Sequence, residues 1–169
     1  MMEVQLLTPQ QWNSYRRRLA DFAVQYSDKR LTAASIQAFR ALDAAQLIQS
    51  HETGYSEAAV SIARQGSRLL GVGFAVKGDK QNKECFFVVQ PQARKLGVGT
   101  AVARSLISRL GQLTCHVAVD NIPSMALCFR LGMEAVSMFT GPTGKPTLRF
   151  ERRAPNEAAC TRNIDVISQ

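Results

Sequence analysis

Histidine is nearly absent: the 169 residues hold two, His51 and His116. Neither has a second ligating side chain at metal-site spacing, so neither is assigned a role. The four cysteines stand at 85, 115, 128 and 160, separated by 30, 13 and 32 positions. That spacing matches no zinc pattern, and Cys85 and Cys115, set inside apolar runs, read as buried reduced thiols. No apolar run approaches the roughly 18–20 residues of a membrane span; "LLGVGFAV" is the size of a strand. The N-terminus, "MMEVQLLTPQQW", has an early acid and no cleavable apolar region, so a cytoplasmic protein with no membrane partner is expected. There is no Gly-Lys-Ser/Thr, hence no Walker loop, and there are no repeats or low-complexity tracts. Acids are scarce, 13 against 21 Lys and Arg, a net charge of +8. An anionic partner is favoured by that balance: nucleic acid, an acidic surface or a polyphosphate cofactor. Arg16, Arg17 and Arg18 read as the solvated side of a helix.

The hydrophobic share, 46% with 20% charged, is that of a globular chain, and the length suits one domain. "EVQLLT" (3–8) reads as a strand. Thr8-Pro9-Gln10-Gln11 then starts a helix, with a hydroxyl N-cap, proline at the first helical position and glutamine to close a capping box. Trp12, Tyr15, Leu19, Phe22, Ala23 and Tyr26 follow at helical spacing, which assigns the aromatic stripe to the core. A second helical stretch, 31 to 50, carries Ile36, Phe39, Leu42 and Ile48. Strands at 57–65 and 68–76 flank a Gly-Ser hairpin turn, and "ECFFVVQ" (84–90) is a third. Residues 98 to 110 switch to helical period and end at Gly111. A strand at 115–119, a helix from Asn121 to Leu131 and strands at 134–139 and 146–152 complete the order β-α-α-β-β-β-α-β-α-β-β. The expected fold class is α/β, one mixed sheet flanked by helices. Residues 154–169 read as a polar, loosely ordered tail.

Between a strand and a helix lies "QARKLGVGT" (92–100). Backbone amides at a helix N-terminus lack intrahelical acceptors, and the helix dipole adds partial positive charge there. Gly97 and Gly99 let the backbone approach a bulky phosphate, Arg94 and Lys95 add formal charge, and Thr100 offers a hydroxyl. A plain structural turn uses the same residues. A dinucleotide fingerprint is a third reading, with Gly97-x-Gly99 before a helix and Asp120 about 20 residues on. It is weakened by Val102 in place of the third glycine and by seven residues (90–96) between the apolar strand and Gly97.

Arg94-Lys95-Leu96-Gly97-Val98-Gly99 resembles the Arg/Gln-x-x-Gly-x-Gly/Ala motif of the GCN5-related N-acetyltransferase (GNAT) superfamily. "NIPSMALCFRLGM" (121–133) resembles that family's N-x-x-A/S … L-Y-x-x-x-G-F helix through Asn121, Ser124, Leu127 and Gly132, with Met133 in place of the aromatic. The resemblance implies a splayed β-sheet over a domain of residues 1–153. It also implies acetyl-CoA as cosubstrate, its pyrophosphate held at residues 94–100 with Asn121 and Ser124 nearby. The pantetheine arm would pair with the backbone of Phe87, Val88 and Val89. An amide there would stabilise the oxyanion that forms as an amine attacks the thioester.

For the general base the resemblance points to Glu84, at the start of the same strand, where apolar Cys85, Phe86 and Phe87 would desolvate it; Asp120 is a weaker candidate. Cys128 departs from the pattern: it stands where the family often has the tyrosine that protonates the departing thiolate. The proton then comes from Cys128 or from water, or the chain binds acyl-CoA without catalysis. The acceptor is open: a small amine, an amino acid, or a protein N-terminus or lysine. Polycationic acceptors are disfavoured by the scarcity of acids, and nucleic acid by aromatics that read as core. A homodimer is left open.

Overall fold

A computed structural model describes residues 1–78 and 84–153. Its elements follow the expected order: β1 (Glu3–Leu6), α1 (Pro9–Tyr26), α2 (Ala33–Arg40), β2 (Ala58–Gln65), β3 (Arg68–Val76), β4 (Cys85–Val89), α3 (Val98–Leu110), β5 (Gln112–Ala118), α4 (Ile122–Arg130), β6 (Glu134–Thr140) and β7 (Pro146–Arg153). The proposed tail, 154–169, lies outside the described residues.

The strands form two sheets, ordered β1-β2-β3-β4 and β5-β7-β6, antiparallel throughout. β4 is therefore an edge of the first sheet and β5 an edge of the second. The two pack side by side without sharing a ladder. This splay between β4 and β5 is the feature on which the site is built.

Local chemistry sets the helix starts. Thr8 and Gln11 form the reciprocal capping box ahead of α1, Thr32 caps α2 and Asn121 caps α4. The second helical stretch is shorter than its periodicity suggests: α2 stops at Arg40, and a separate 3₁₀ turn spans Ala44–Leu47. Tertiary contacts end the helix. The Arg40 carbonyl accepts from Arg16 and the Leu42 carbonyl from the Trp12 indole at 3.1 Å, while Asp43 caps the next turn through Ala45 N–H. Ile48 consequently lies exposed rather than in the apolar stripe, and so does Tyr15. Arg16 likewise is not merely solvated, since its guanidinium lies over the Trp12 ring. β5 begins at Gln112, three residues earlier than expected, because its pairing with β7 runs back to Gln112↔Arg153.

β4 divides the core by alternation. Phe86 and Val88 join α1, α2, β2 and β3 on one face. There Phe39 meets Trp12, Phe74 and Phe86 at ring-centroid distances of 4.9, 5.0 and 5.1 Å. Cys85 and Phe87 pack toward α3, α4, β5 and β7 on the other. α3 approaches β3 closely because Gly71 and Gly73 carry no Cβ: one at Gly73 would lie 2.4 Å from Val102 Cγ1.

In the second core three thiols meet. Cys85 Sγ and Cys115 Sγ are 3.4 Å apart, and Cys115 also contacts Cys128. Contact with Cys128 pulls the Cys115 pKa down, but contact with Cys85 and burial together push it well above the thiol range. The Cys128 thiol is raised too, first by its contact with Cys115 and then by burial.

Two outcomes are expected. Gly73→Ala should destabilise the fold by about 1–3 kcal/mol in urea titration, because Val102 is β-branched and cannot swing aside. The thiols should make stability fall in alkali. Below the unfolded thiol pKa of 9.0 both states are protonated. Above it the unfolded chain loses protons that the folded chain retains, at roughly 1.4 kcal/mol per pH unit per thiol. A Cys115→Ala/Cys128→Ala double variant should lack that part of the decline between pH 9 and pH 10.

Candidate active site

The turn from β4 into α3 is built around two residues in left-handed backbone, Lys95 at φ 63° and Gly97 at φ 83°. Gly97 is the N-cap of α3 and supplies no capping side chain, unlike Thr8, Thr32 and Asn121 at the other three helices. The first backbone bond of the helix is Ala101 N–H to Gly97 O at 3.0 Å, so the amides of Val98, Gly99 and Thr100 precede the intrahelical ladder. A Cβ added at Gly97 would meet nothing within 4 Å. Gly97 faces open space, whereas Gly99 faces Leu127 of α4, where a Cβ would lie 3.5 Å from its Cδ2. Leu96 and Lys95 are exposed, Val98 is buried against β3, and the Thr100 side chain is turned inward.

Arg94 is placed differently from its expected role as a charge beside a bound anion. Its guanidinium pairs with the Asp28 carboxylate at 2.8 Å and donates to the carbonyls of Tyr26 and Val89 at 3.0 and 3.1 Å. It ties the turn to the end of α1 and to β4, and its charge is matched by Asp28.

Phe87, Val88 and Val89 pair with Gly73, Val72 and Gly71 of β3 on one side only. Their other side is the open edge toward β5. Asn121 is held in its cap, accepting from Ser124 N–H at 3.4 Å, with both residues half-buried. Cys128 is 2% exposed and points into the second core.

Glu84 stands at the head of β4. Its apolar neighbours do not enclose it: Phe86 is in the first core and Cys85 and Phe87 face the second. The carboxylate accepts a 3.0 Å hydrogen bond from Ser35 Oγ in the first turn of α2. Ser35 in turn accepts from the Thr32 hydroxyl at 3.1 Å. Glu84 also borders a cavity of about 330 Å³, lined with Ala38, Ala41, Leu42, Gln46 and Val76.

Asp120, in the turn just after β5, has a different setting. Lys145 Nζ lies 2.6 Å and Arg30 3.0 Å from its two oxygens, and these cations hold its carboxyl below the usual range. It is therefore committed to tethering the α1–α2 loop and the β6–β7 turn. His116 is exposed on β5 and meets the Phe139 ring edge-on, 5.1 Å between centroids. Among the described residues no group of three His, Cys, Asp or Glu side chains could hold a metal ion, and no helix is long and apolar enough to cross a membrane.

Sequence reasoning did not anticipate the Ser35–Glu84, Arg30–Asp120 or Cys85–Cys115 contacts. Their partners are 49, 90 and 30 residues apart, and no local pattern links them.

No curated protein matches the chain. Solved structures do share the fold. An acetyltransferase of the GNAT family from Streptococcus pneumoniae superimposes with a TM-score of 0.62 at 12% identity, covering 92% of this chain and 100% of that one. The ribosomal-protein-S18-alanine N-acetyltransferase from Escherichia coli does so with 0.60 at 14% identity, covering 93% and 97%. NAA60 from Arabidopsis thaliana, in complex with acetyl-CoA, gives 0.63 at 14%, covering 90% and 98%. At these identities the likeness is one of fold. The model of the acetyltransferase (GNAT) family matches residues 15–133, which span the splay and both glycine-bearing motifs; the chain belongs to that family.

Proposed function

We propose that this protein transfers an acetyl group from acetyl-CoA to a primary amine by direct attack on the thioester. The observation that carries the reading is the α3 N-terminus: among the α-helices of the described residues it is the one with no capping side chain, and it follows, across the turn of residues 90–97, a strand whose outer edge has no ladder partner among the described residues. The two features suit the two parts of one molecule. The amides of Val98, Gly99 and Thr100 would hold the pyrophosphate, with Lys95 alongside and Arg94 fixing the turn rather than meeting the anion. The backbone of Phe87, Val88 and Val89 would pair with the pantetheine arm, as an added strand pairs with a sheet edge. Bound acetyl-CoA supplies an activated acyl group, and the protein contributes position and a polar backbone edge for the developing oxyanion.

Glu84 is the base in this reading. Its carboxylate is fixed by Ser35 and borders a cavity able to take a compact acceptor. Asp28 and Asp120 are already paired with Arg94, Arg30 and Lys145. Of these three acids Glu84 is the one in no ion pair among the described residues, and a single carboxylate facing the cavity favours an acceptor bearing a single amine, such as an amino acid or a protein N-terminus, over a polyamine. The CoA thiolate leaves as an anion, and the proton released by the attacking amine reaches it through solvent water. Transfer from Cys128 would run uphill, since that thiol holds its proton more tightly than an ordinary thiol does. The same buried thiol, where a hydroxyl donor would help turnover, favours a second reading: a module that binds acyl-CoA without catalysis.

Calorimetric titration of acetyl-CoA tests the first step. Gly97→Asn and Gly97→Asp are similar in shape, and both residue types tolerate left-handed backbone. They differ in charge, so the aspartate should weaken binding about tenfold or more relative to the asparagine. Equal affinities would count against pyrophosphate at this turn, and no binding by the folded wild type would sink the reading. With an amine panel, Glu84→Gln should lower kcat about 100-fold with acetyl-CoA affinity unchanged. Binding by the wild type with no thiol release from any amine would select the non-catalytic reading.

A further inference from the structure

Cys85 opens β4 and Cys115 lies in the middle of β5, so the 3.4 Å contact between their sulfurs crosses from one sheet to the other where no backbone ladder joins them. The three contacting thiols differ in access. Cys115 and Cys128 are 5% and 2% exposed, whereas Cys85 is only partly covered. A disulfide needs its sulfurs about 2.05 Å apart. The approach still required is therefore short, and it falls between two strands that no ladder holds at fixed separation.

We propose that Cys85 and Cys115 form a redox modification site: a hydroperoxide converts them into an intramolecular disulfide that staples the two sheets across the splay. Cys85 reacts first, as the least covered of the three thiols. Its thiolate attacks the peroxide, the O–O bond breaks, Cys85 becomes a sulfenic acid, and the peroxide's other half leaves as alcohol or water. The Cys115 sulfur then attacks Cys85 Sγ, forming the S–S bond and expelling water. In total two S–H bonds and one O–O bond are exchanged for one S–S bond, one molecule of water and one alcohol, or a second water when the oxidant is hydrogen peroxide. A thiol reductant reverses it. Cys128, which also contacts Cys115, remains a buried thiol.

The staple closes a loop of 30 residues containing the turn and α3. It also restrains the edges of β4 and β5 at the head of β4. The second consequence rests on the acetyltransferase reading: an arm entering between those edges would have to part strands that are covalently joined.

The test uses the full chain carrying Cys160→Ser, so that the cysteine outside the described residues cannot take part. Hydrogen peroxide treatment followed by non-reducing digestion should give a Cys85–Cys115 cross-linked peptide that disappears with dithiothreitol. The melting temperature should rise by about 5–10 °C, and neither change should occur in Cys85→Ser or Cys115→Ser. Because Cys115 is buried and its variant could unfold, the half-exposed Cys85→Ser is the primary control. A Cys115–Cys128 cross-link, sulfinic acid at Cys85, or three unmodified thiols after treatment would overturn the proposal. Acetyl-CoA titration of both forms separates it from the preceding reading. The oxidised form should bind about tenfold more weakly. No binding by the reduced form overturns the acetyltransferase reading and leaves the cross-link standing, and equal affinity in the two forms overturns the restraint of the splay.

Discussion

The unjoined edges of β4 and β5 are the constraint on which the rest of this structure turns. Strands that lie side by side normally exchange backbone hydrogen bonds, because a buried amide or carbonyl without a partner costs free energy. Here β4 spends one side on β3, β5 spends one side on β7, and the facing sides share no ladder. Neither strand can drift, because each is anchored elsewhere. α3 crosses from the end of β4 to the start of β5 and lies on β3 at close range, the distance set by Gly71 and Gly73. The helix that spans the splay thus has its uncapped N-terminus at the end of β4, and the polar edge and the polar helix end belong to one continuous segment, residues 85–100.

Charge on this protein is organised around the same divide. The loop between α1 and α2 contains two non-glycine residues with left-handed backbone, Asp28 at φ 53° and Lys29 at φ 59°. Conformations of that kind persist where surrounding contacts over-determine them. The contacts fall on both sides of the splay: Asp28 pairs with Arg94 after β4, and Arg30 pairs with Asp120 after β5. Exposed pairs of this type contribute little stability one by one. Their effect is on position. They set a single loop against both rims, and they occupy acids and bases that the bare net charge of +8 would suggest are available to a ligand.

The parts legible in the sequence were those governed by near neighbours. The capping box at Thr8–Gln11, the Gly-Ser hairpin and the period of α3 depend on residues within a turn of one another, and they stand as read. The exposed glycine turn was legible for the same reason: a left-handed N-cap without a side chain has few other residue types to draw on. Misreadings came where a distant group intervened. α2 ends at Arg40 because Arg16 and Trp12, more than twenty residues earlier, take the carbonyls of Arg40 and, just beyond the helix, of Leu42. Arg94 looked like a free cation because Asp28 approaches it only in three dimensions. Glu84 was singled out as a candidate by its place at the start of a strand, but the hydroxyl that holds its carboxylate sits on a helix whose end the periodicity had already misjudged.

The thiols show how one position can serve packing against chemistry. A tyrosine at position 128 would need room for a ring and a polar partner for its hydroxyl. Cysteine needs neither, and at 2% exposure it packs in the second core in contact with Cys115. The exchange removes an acid that could assist a leaving group, since the contact with Cys115 and burial raise the Cys128 thiol above an ordinary exposed one. For a departing thiolate this loss is modest, because a thiolate is a stable anion near neutral pH and leaves without prior protonation. In the proposed transfer the demand that cannot be relaxed is placement of the thioester carbonyl against a backbone amide and within reach of the amine. That demand would fall on the edge of β4 and the α3 turn, neither of which involves residue 128.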